Sequence, residues 1–145
     1  DLMSLPLLVA AVADDGYEVA IGSRLIKGSE VVDRTLKREI TSRGYNMLIH
    51  IFFPFPGFKD AQCGFKAVSR KTADNLIPLI RDNAWFFDTE LLLIAGKSGY
   101  GIKEIPVHWE DDPDTRVKIA STAWEDVKGL LRLRFKGCPT PTSTA

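Results

Sequence analysis

The sequence predicts an α/β fold in which a mixed sheet is flanked by helices. Short segments rich in β-branched residues alternate along the chain with longer segments of helical periodicity, an order typical of α/β layering. Hydrophobic residues make up 45% of the 145 residues, which is enough to bury a core. Only three strands are evident, which is few for a sheet covered on both faces, so we expect an incomplete domain.

The first half of the chain is predicted to hold two helices and one strand. Ser4-Leu5-Pro6 is a typical helix start, because proline is tolerated in the first turn, and the Asp-Asp-Gly at 14–16 is a helix stop. In order, we predict a helix at 4–13, a strand at 17–23, a polar loop at 24–33 and a long helix at 33–53. The candidate buried positions of the long helix are Leu36, Ile40, Met47, Leu48 and Ile51.

The second half begins with an aromatic loop at residues 52–59. Two prolines end the preceding helix there. The loop that follows carries four hydrophobic aromatic side chains, namely Phe52, Phe53, Phe55 and Phe58. After this loop we predict strands at 63–69 and 102–109, helices at 71–81, 88–97 and 119–136, an acidic turn at 110–115 and a polar, disordered tail at 137–145.

Charge is distributed unevenly although the formal net charge is zero. Residues 82–115 carry eight acidic and two basic side chains, and residues 116–136 carry six basic and two acidic ones. This asymmetry indicates a region that meets an anionic partner. The two cysteines and two histidines lack metal-type spacing, which favours free thiols over a zinc site. Neither a membrane-spanning apolar run nor a signal peptide is visible.

Asp60 is the first candidate for chemistry. It follows the aromatic loop and precedes a predicted strand, so its carboxylate could act as a base, orient a nucleophile or contact a sugar hydroxyl. A turn aspartate that bonds its own backbone is the alternative, and residue type alone favours that alternative. Gln62 could orient a ligand through its amide, and Gly64 permits the close approach of a ligand or backbone.

Asp88 and Glu90 form a second candidate pair at the mouth of a predicted helix, beside aromatic residues. Helix capping and dipole complementation explain both carboxylates without a ligand. Residues two apart do not share a helix face, so we expect one of the two to reach a cleft. We assign Glu90 to the cleft and Asp88 to the cap.

Basic residues suggest phosphate binding at two places. Arg24 follows Ser23 at the end of a predicted strand, where a planar guanidinium suits a phosphate or pyrophosphate. The basic residues of 34–38 follow on one helical stretch, and a solvated face explains them equally well. Arg116 and Lys118 follow the acidic turn, where they could close over a phosphate or simply pair with nearby aspartates at the surface.

The last predicted helix is amphipathic, with an apolar face flanked by lysine and arginine. Trp124 together with residues such as Arg132 gives it the composition of a helix that lies in a membrane interface. A helix packed on the domain has the same pattern, so both interpretations stay open.

These residues resemble a known family. The string Asp-Ala-Gln-Cys-Gly-Phe-Lys at 60–66, with Trp-Phe-Phe-Asp-Thr-Glu-Leu at 85–91 and Gly-Ser-Arg at 22–24, is similar to the family 2 glycosyltransferases of the GT-A fold. The most similar subgroup is the polyprenyl-phosphate and dolichyl-phosphate glycosyltransferases. The segments 105–109 and 116–118 resemble the same subgroup, and the resemblance covers nearly all of residues 1–135.

The resemblance implies transfer of a sugar from a nucleotide-sugar donor to a polyprenyl phosphate, dolichyl or undecaprenyl, with Mg²⁺ or Mn²⁺. It implies that the enzyme acts at the cytoplasmic face of a membrane, where it is peripheral or tethered by other segments, and that it has no nucleic-acid partner. Asp60 and Gln62 would be catalytic. The implied substrate-binding residues are Ser23, Arg24, Gly64, Asp88, Glu90, Arg116 and Lys118, and the implied lipid-contacting residues are Phe53, Phe55, Phe58, Trp124 and Arg132.

One departure from the family pattern is that no aspartate pair stands in the context of the family's metal-holding Asp-x-Asp motif, since Asp14-Asp15 and Asp111-Asp112 lie elsewhere in the pattern. We therefore expect residues 1–118 to form the acceptor-side part of an incomplete GT-A domain, residues 119–136 an interfacial helix and residues 137–145 a tail. A soluble or polysaccharide acceptor is a rival, against which the aromatic loop and the basic helix argue. A non-catalytic membrane- or partner-binding module with a degenerate fold is the alternative function.

We predict that these 145 residues alone do not transfer sugar, because the pattern includes no donor-binding half and catalysis here depends on charge neutralisation and alignment of both substrates. A radiolabelled sugar-transfer assay checks this prediction. Label incorporated above the level of a heat-inactivated sample would contradict it.

Overall fold

The chain, in a computed structural model that describes residues 2–54, 56–111 and 119–141, has a mixed α/β fold, as the sequence predicts. The strands are β1 (Val19–Ser23), β2 (Glu30–Val32), β3 (Lys66–Val68), β4 (Ile102–Pro106) and β5 (His108–Glu110). In the main sheet, β1 lies between β3, with which it is antiparallel, and β4, with which it is parallel. Every residue of β1 is buried, since both faces of this strand are covered.

The helices are close to their predicted positions. They are α1 (Leu5–Ala13), α2 (Leu36–Phe52), α3 (Arg70–Leu76), α4 (Phe87–Lys97) and α5 (Ile119–Lys136). Hydroxyl caps begin two of them: the Thr35 side chain accepts a hydrogen bond from the Arg38 amide, and the Ser69 side chain accepts one from the Thr72 amide. Within the described ranges, no helix combines the length and the hydrophobicity that crossing a bilayer requires.

A second, two-stranded sheet pairs β2 with β5 in parallel. The predicted loop at 24–33 and the predicted single strand at 102–109 are both wrong, because the first range contains β2 and the second is divided into β4 and β5. Pro106 ends β4, and the next carbonyl, that of Val107, accepts a hydrogen bond from the Glu30 amide and so starts the new pairing. A proline cannot donate to a ladder, which makes it a natural boundary between two sheets.

The core lies mainly between β1 and three helices. Val19 and Ile21 face a cluster formed by α2, α4 and α5, while Ala20 faces α1 on the other side of the sheet. α4 supplies five consecutive buried residues at 91–95 because it is covered nearly all round. The apolar side of α5 packs into the same cluster through Leu130 and Leu133, which are buried.

α2 presents the opposite face to the one predicted. The buried residues of this helix are Ser42, Tyr45, Asn46 and Ile49. Specific hydrogen bonds hold this partly polar face inward: the Tyr45 hydroxyl bonds Thr89 at 3.0 Å, and the side-chain Oδ1 of Asn46 accepts a hydrogen bond from the Ala61 amide at 3.0 Å. Only Leu48 of the predicted set packs on the core. The others are between 62% and 75% exposed, namely Leu36, Ile40, Met47 and Ile51.

We predict that Gly129→Ala lowers the free energy of unfolding by about 1–3 kcal/mol, since a β-carbon at this position of α5 would overlap the buried ring of Phe86. Gly44→Ala is the matched control. Gly44 also lies inside a helix but has open space at its β-carbon, so alanine should stabilise the protein by about 0.5–1 kcal/mol. Equilibrium urea unfolding measures both, and equal effects would contradict the packing argument.

Candidate functional site

A cavity of about 500 Å³ opens where α2, α5, the start of α4 and the end of β5 meet. Its lining combines guanidinium groups, aromatic rings and carboxylates. This mixture of cations, rings and acceptors suits a ligand that combines charged or polar groups with flat apolar surface.

Arg24 occupies the wall of this cavity at the end of β1 and is held by Asp60 behind it. The Arg24 side chain donates from Nε to Asp60 Oδ2 at 2.8 Å and from Nη2 to Oδ1 at 2.9 Å. The Arg24 and Gln62 amides also donate to this carboxylate, at 3.0 and 3.2 Å. Asp60 is fully buried and is not part of the lining. The pair therefore fixes the orientation of the guanidinium plane.

The same contacts set the ionisation of Asp60 and Arg24. Burial by itself would raise the pKa of Asp60, but the hydrogen bonds and charge of Arg24 outweigh it, so the pKa lies below its usual range. Burial would lower the pKa of Arg24, and Asp60 reverses that shift in turn. The carboxylate is ionised at neutral pH and its lone pairs are occupied, which disfavours a role for Asp60 as a proton acceptor.

Trp109 extends this arrangement toward α2. The Arg24 guanidinium lies 5.4 Å from the centroid of the Trp109 ring, within the range of a cation–π contact. The indole nitrogen of Trp109 donates to Asp111 at 3.0 Å, and Asp111 lies 3.6 Å from Arg38 and 4.0 Å from Arg34. The predicted basic stretch at the start of α2 thus faces the cavity and is not only a solvated face.

Gln62 and Gly64 both line the cavity. The Gln62 side-chain amide donates to Asp126 Oδ2 on α5 at 3.4 Å, a long hydrogen bond. Ser23 is buried and is not part of the lining, although its predicted neighbour Arg24 is. Arg116 and Lys118 lie outside the described residues. Substrate binding by these residues stays a prediction.

Both assignments made for Asp88 and Glu90 from the sequence are wrong, since the N-cap of α4 is Phe86 and the carboxylate that reaches the cavity is that of Asp88. Asp88 lines the cavity and lies 3.3 Å from the Lys66 amine. Burial lowers the pKa of Lys66, and the charge of Asp88 offsets part of that shift. Glu90 is fully buried outside the cavity, where it accepts hydrogen bonds from Arg132 at 2.7 Å and from the Asp82 amide at 3.0 Å. The assignment of Glu90 to the cleft is wrong because α4 turns this position toward α5.

The residues predicted to meet lipid are spread over different environments. Phe58 is only 3% exposed and belongs to the core, so the prediction of lipid contact is wrong for this residue. Phe53 is half-buried and lines a separate groove. Trp124 is 60% exposed, whereas Arg132 points inward to Glu90. Phe55 lies outside the described residues.

Several residues of the cavity lining are not among the predicted site residues, including Ser42, Tyr45, Trp109 and Asp126. Tyr45 lies on the helix face that was predicted to be exposed. Trp109 was predicted as part of a strand. Asp126 and its neighbour Glu125 are the two acidic residues of a basic helix, and the sequence alone does not show which of them faces the cavity.

The described part of the chain contains no group of three or more His, Cys, Asp or Glu side chains placed to hold a metal ion. Both cysteines are free thiols. Three carboxylates of the cavity lie near basic or amide groups: Asp88 near Lys66, Asp111 near Arg38 and Asp126 near the Gln62 amide. These residues therefore do not form a ligand set for Mg²⁺ or Mn²⁺.

The chain is similar to glycosyltransferases of archaea and eukaryotes. It is 41% identical over 130 residues to glycosyltransferase AglD of Haloferax volcanii, which covers 90% of this chain and 20% of that protein. It is 31% identical to the dolichyl-phosphate beta-glucosyltransferases of Dictyostelium discoideum and Saccharomyces cerevisiae, over 85% and 81% of this chain. The matches span 37% and 35% of those two proteins. No protein-family model matches the sequence.

We predict that Asp126→Asn stabilises the protein at pH 7, by about 1–3 kcal/mol. Burial raises the pKa of Asp126 to about 6, with Asp82 adding to the shift and Gln62 opposing it. The folded state therefore binds this proton more tightly than the unfolded state, whose aspartate pKa is about 3.9. Wild-type stability should rise as pH falls from about 6 toward about 4 and be lost as pH rises through about 6.

Urea unfolding of the wild type and of Asp126→Asn from pH 4 to pH 8 measures this linkage. The difference between the two proteins should be largest above the folded pKa and should vanish near pH 4. A difference that does not change with pH would contradict the assignment of the cost to the ionised carboxylate.

Proposed function

This chain belongs to the family 2 glycosyltransferases, in the polyprenyl-phosphate and dolichyl-phosphate subgroup, and on that premise we propose that it forms part of an enzyme that transfers a sugar to a polyprenyl phosphate. Its mixed α/β fold is that of a partial GT-A domain. The observation that carries the proposal is Arg24, fixed by the buried Asp60 and facing a cavity shared with two more arginines. The relatives' own names support a dolichyl-phosphate acceptor.

The chemistry of such a transfer needs little base strength. A phosphate oxygen is already ionised at neutral pH, so the barrier falls mainly through charge neutralisation and alignment. Asp60 engages Nε and Nη2 of Arg24, and the remaining N–H groups of this guanidinium can bind a phosphate in a fixed plane. We propose that Asp60, predicted from the sequence to be catalytic, acts through Arg24 as a positioning residue.

Other residues of the cavity suit the two reactants. Arg34 and Arg38 add positive charge for the phosphates of a nucleotide-sugar donor or of the acceptor. The rings of Trp85 and Trp109 provide apolar faces against which a sugar or a base can pack. Gln62, predicted to be catalytic, offers an amide that can orient either reactant.

The prenyl chain belongs, in this proposal, at the other end of the helices. Phe53 lies roughly 16 Å beyond Ser42 along α2, in a groove of about 600 Å³ between the ends of α2, α4 and α5. The exposed apolar stripe of α2 and the exposed Trp124 of α5 support a surface that rests on a membrane. We propose that this membrane surface is a cytoplasmic one.

A divalent cation, Mg²⁺ or Mn²⁺, would neutralise the donor pyrophosphate in such an enzyme. Since the described residues form no ligand set for it, we assign no step of the reaction to this ion. The missing Asp-x-Asp motif of the family is the one observation that would favour a non-catalytic membrane- or partner-binding module. Activity of the longer enzyme in the assay below separates the two functions.

We predict that Arg24→Lys lowers kcat/KM for sugar transfer to dolichyl phosphate by about 10²-fold or more in the longer enzyme that contains this chain. A lysine keeps the charge but cannot bond both Asp60 oxygens and present further donors in one plane. A radiolabelled transfer assay in membranes measures the change.

Arg70→Lys is the matched control, because Arg70 is exposed and pairs only with Asp74 on its own helix. It should keep wild-type activity. Loss of less than a few-fold in Arg24→Lys would overturn the role of Arg24, and absence of transfer by the wild type with all donors tested would overturn the proposed enzyme.

A further inference from the structure

Two buried oxygen atoms in the lining of the cavity have no hydrogen-bond partner within the described residues. They are the Ser42 hydroxyl oxygen on α2 and Oδ1 of Asp126 on α5. Nε and Nη1 of Arg34 in the same lining also lack a hydrogen bond, although Nε lies 2.9 Å from Glu39. Ser42 is 7% exposed and Asp126 is 1% exposed. Buried polar groups are paired in the great majority of cases, so two unpaired oxygens in one cavity lining require an explanation.

The neighbouring side chains do not supply the missing partners. The Tyr45 hydroxyl is engaged with Thr89 at 3.0 Å, and the Gln62 amide reaches only the other carboxylate oxygen of Asp126, at 3.4 Å. Both unpaired atoms are buried, so water does not replace the missing hydrogen bonds. Both residues line the cavity, so a ligand bound there is the remaining source of a partner.

The chemistry of the two groups defines the ligand that would complete them. The carboxylate of Asp126, ionised above pH about 6, accepts hydrogen bonds and repels phosphate. The hydroxyl of Ser42 can donate or accept. The Ser42 and Asp126 oxygens therefore fit a neutral ligand group rich in hydroxyls, whereas the arginines of the same lining suit anions.

We propose that Ser42 and Asp126 form a hydroxyl-binding subsite that takes a ring hydroxyl of the transferred sugar. This inference rests on the proposed function, because the sugar is the hydroxyl-rich part of the donor and the polyprenyl phosphate has none to offer. The two residues thereby contribute to the choice of sugar, since a site built to pair a hydroxyl rejects an analogue that lacks it.

The test uses a panel of nucleoside-diphosphate glucose donors, each lacking one ring hydroxyl, with the longer enzyme in membranes. Asp126→Asn should lower kcat/KM for the parent donor by about 10-fold or more, and Ser42→Ala by about 3- to 10-fold. One donor of the panel lacks the ring hydroxyl that the subsite binds. With that donor, kcat/KM of the wild type and of each variant should differ by less than about 2-fold, because the hydroxyl that the two side chains would bind is absent.

Ser98→Ala is the matched control. The Ser98 hydroxyl is also buried and unpaired within the described residues, but it lies outside the cavity. This variant should have the same kcat/KM as the wild type for every donor of the panel. Asp126→Asn should fold at least as well as the wild type, so its loss of rate is not a loss of protein. An equal fall in rate for all donors would overturn the subsite and indicate a structural role.

Binding distinguishes failure of this inference from failure of the proposed function. Calorimetric titration compares the nucleoside-diphosphate sugar with the sugar-free nucleoside diphosphate. If the sugar strengthens binding to the wild type and Asp126→Asn removes that gain, the subsite stands even if no transfer is detected. If the variant weakens the sugar-free nucleotide equally, the subsite is overturned while Arg24-dependent transfer still supports the enzyme.

Discussion

The ion pair between Arg24 and Asp60 is the contact on which the site depends. It joins the end of β1 to the loop that leads into β3, and its partners are buried together, so neither can be removed without leaving an uncompensated charge. Main-chain amides complete it from two sides, from Arg24 itself and from Gln62. The pair therefore sets both the path of the loop and the direction in which the guanidinium faces.

Further hydrogen bonds to the same loop determine how α2 lies on the domain. The Asn46 side chain accepts the amide of Ala61, next to Asp60, and the amides of Lys59 and Asp60 bond Glu104 of β4. A helix that must present Asn46 to this loop has to turn its apolar stripe outward. The exposed stripe of α2 is thus a consequence of the site's architecture, and it gives the protein a surface that can meet a membrane.

Close packing of α5 brings the last elements together. Gly129 lets this helix approach the ring of Phe86, and the resulting contact places Asp126 against Gln62 while Arg132 neutralises the buried Glu90. An ionised Asp126 in this buried position lowers the free energy of unfolding, so selection for stability alone would not favour an aspartate here. Groups of this kind are typical of functional sites, where binding a ligand compensates for what folding loses.

Most of the secondary structure follows from the sequence because it rests on local physics. A serine or proline at a helix start is a signal contained in a few consecutive residues, and so is the apolar run of α4. The motif at 60–66 and Arg24 likewise identify the family and the position of the site. Local patterns fail at β2, whose three residues pair only through contact with the distant β5, and whose sequence shows no alternation.

The sequence by itself determined the fold class, the five helices of the described ranges and the segment that carries Asp60. Only the tertiary structure decided which carboxylate reaches the cavity, because Asp88 and Glu90 differ by the side of α4 that meets α5. It also decided which face of α2 is buried, since hydrogen bonds to the Asp60 loop outweigh the hydrophobic preference of four exposed side chains. Such choices depend on partners far away in the chain, which no local pattern records.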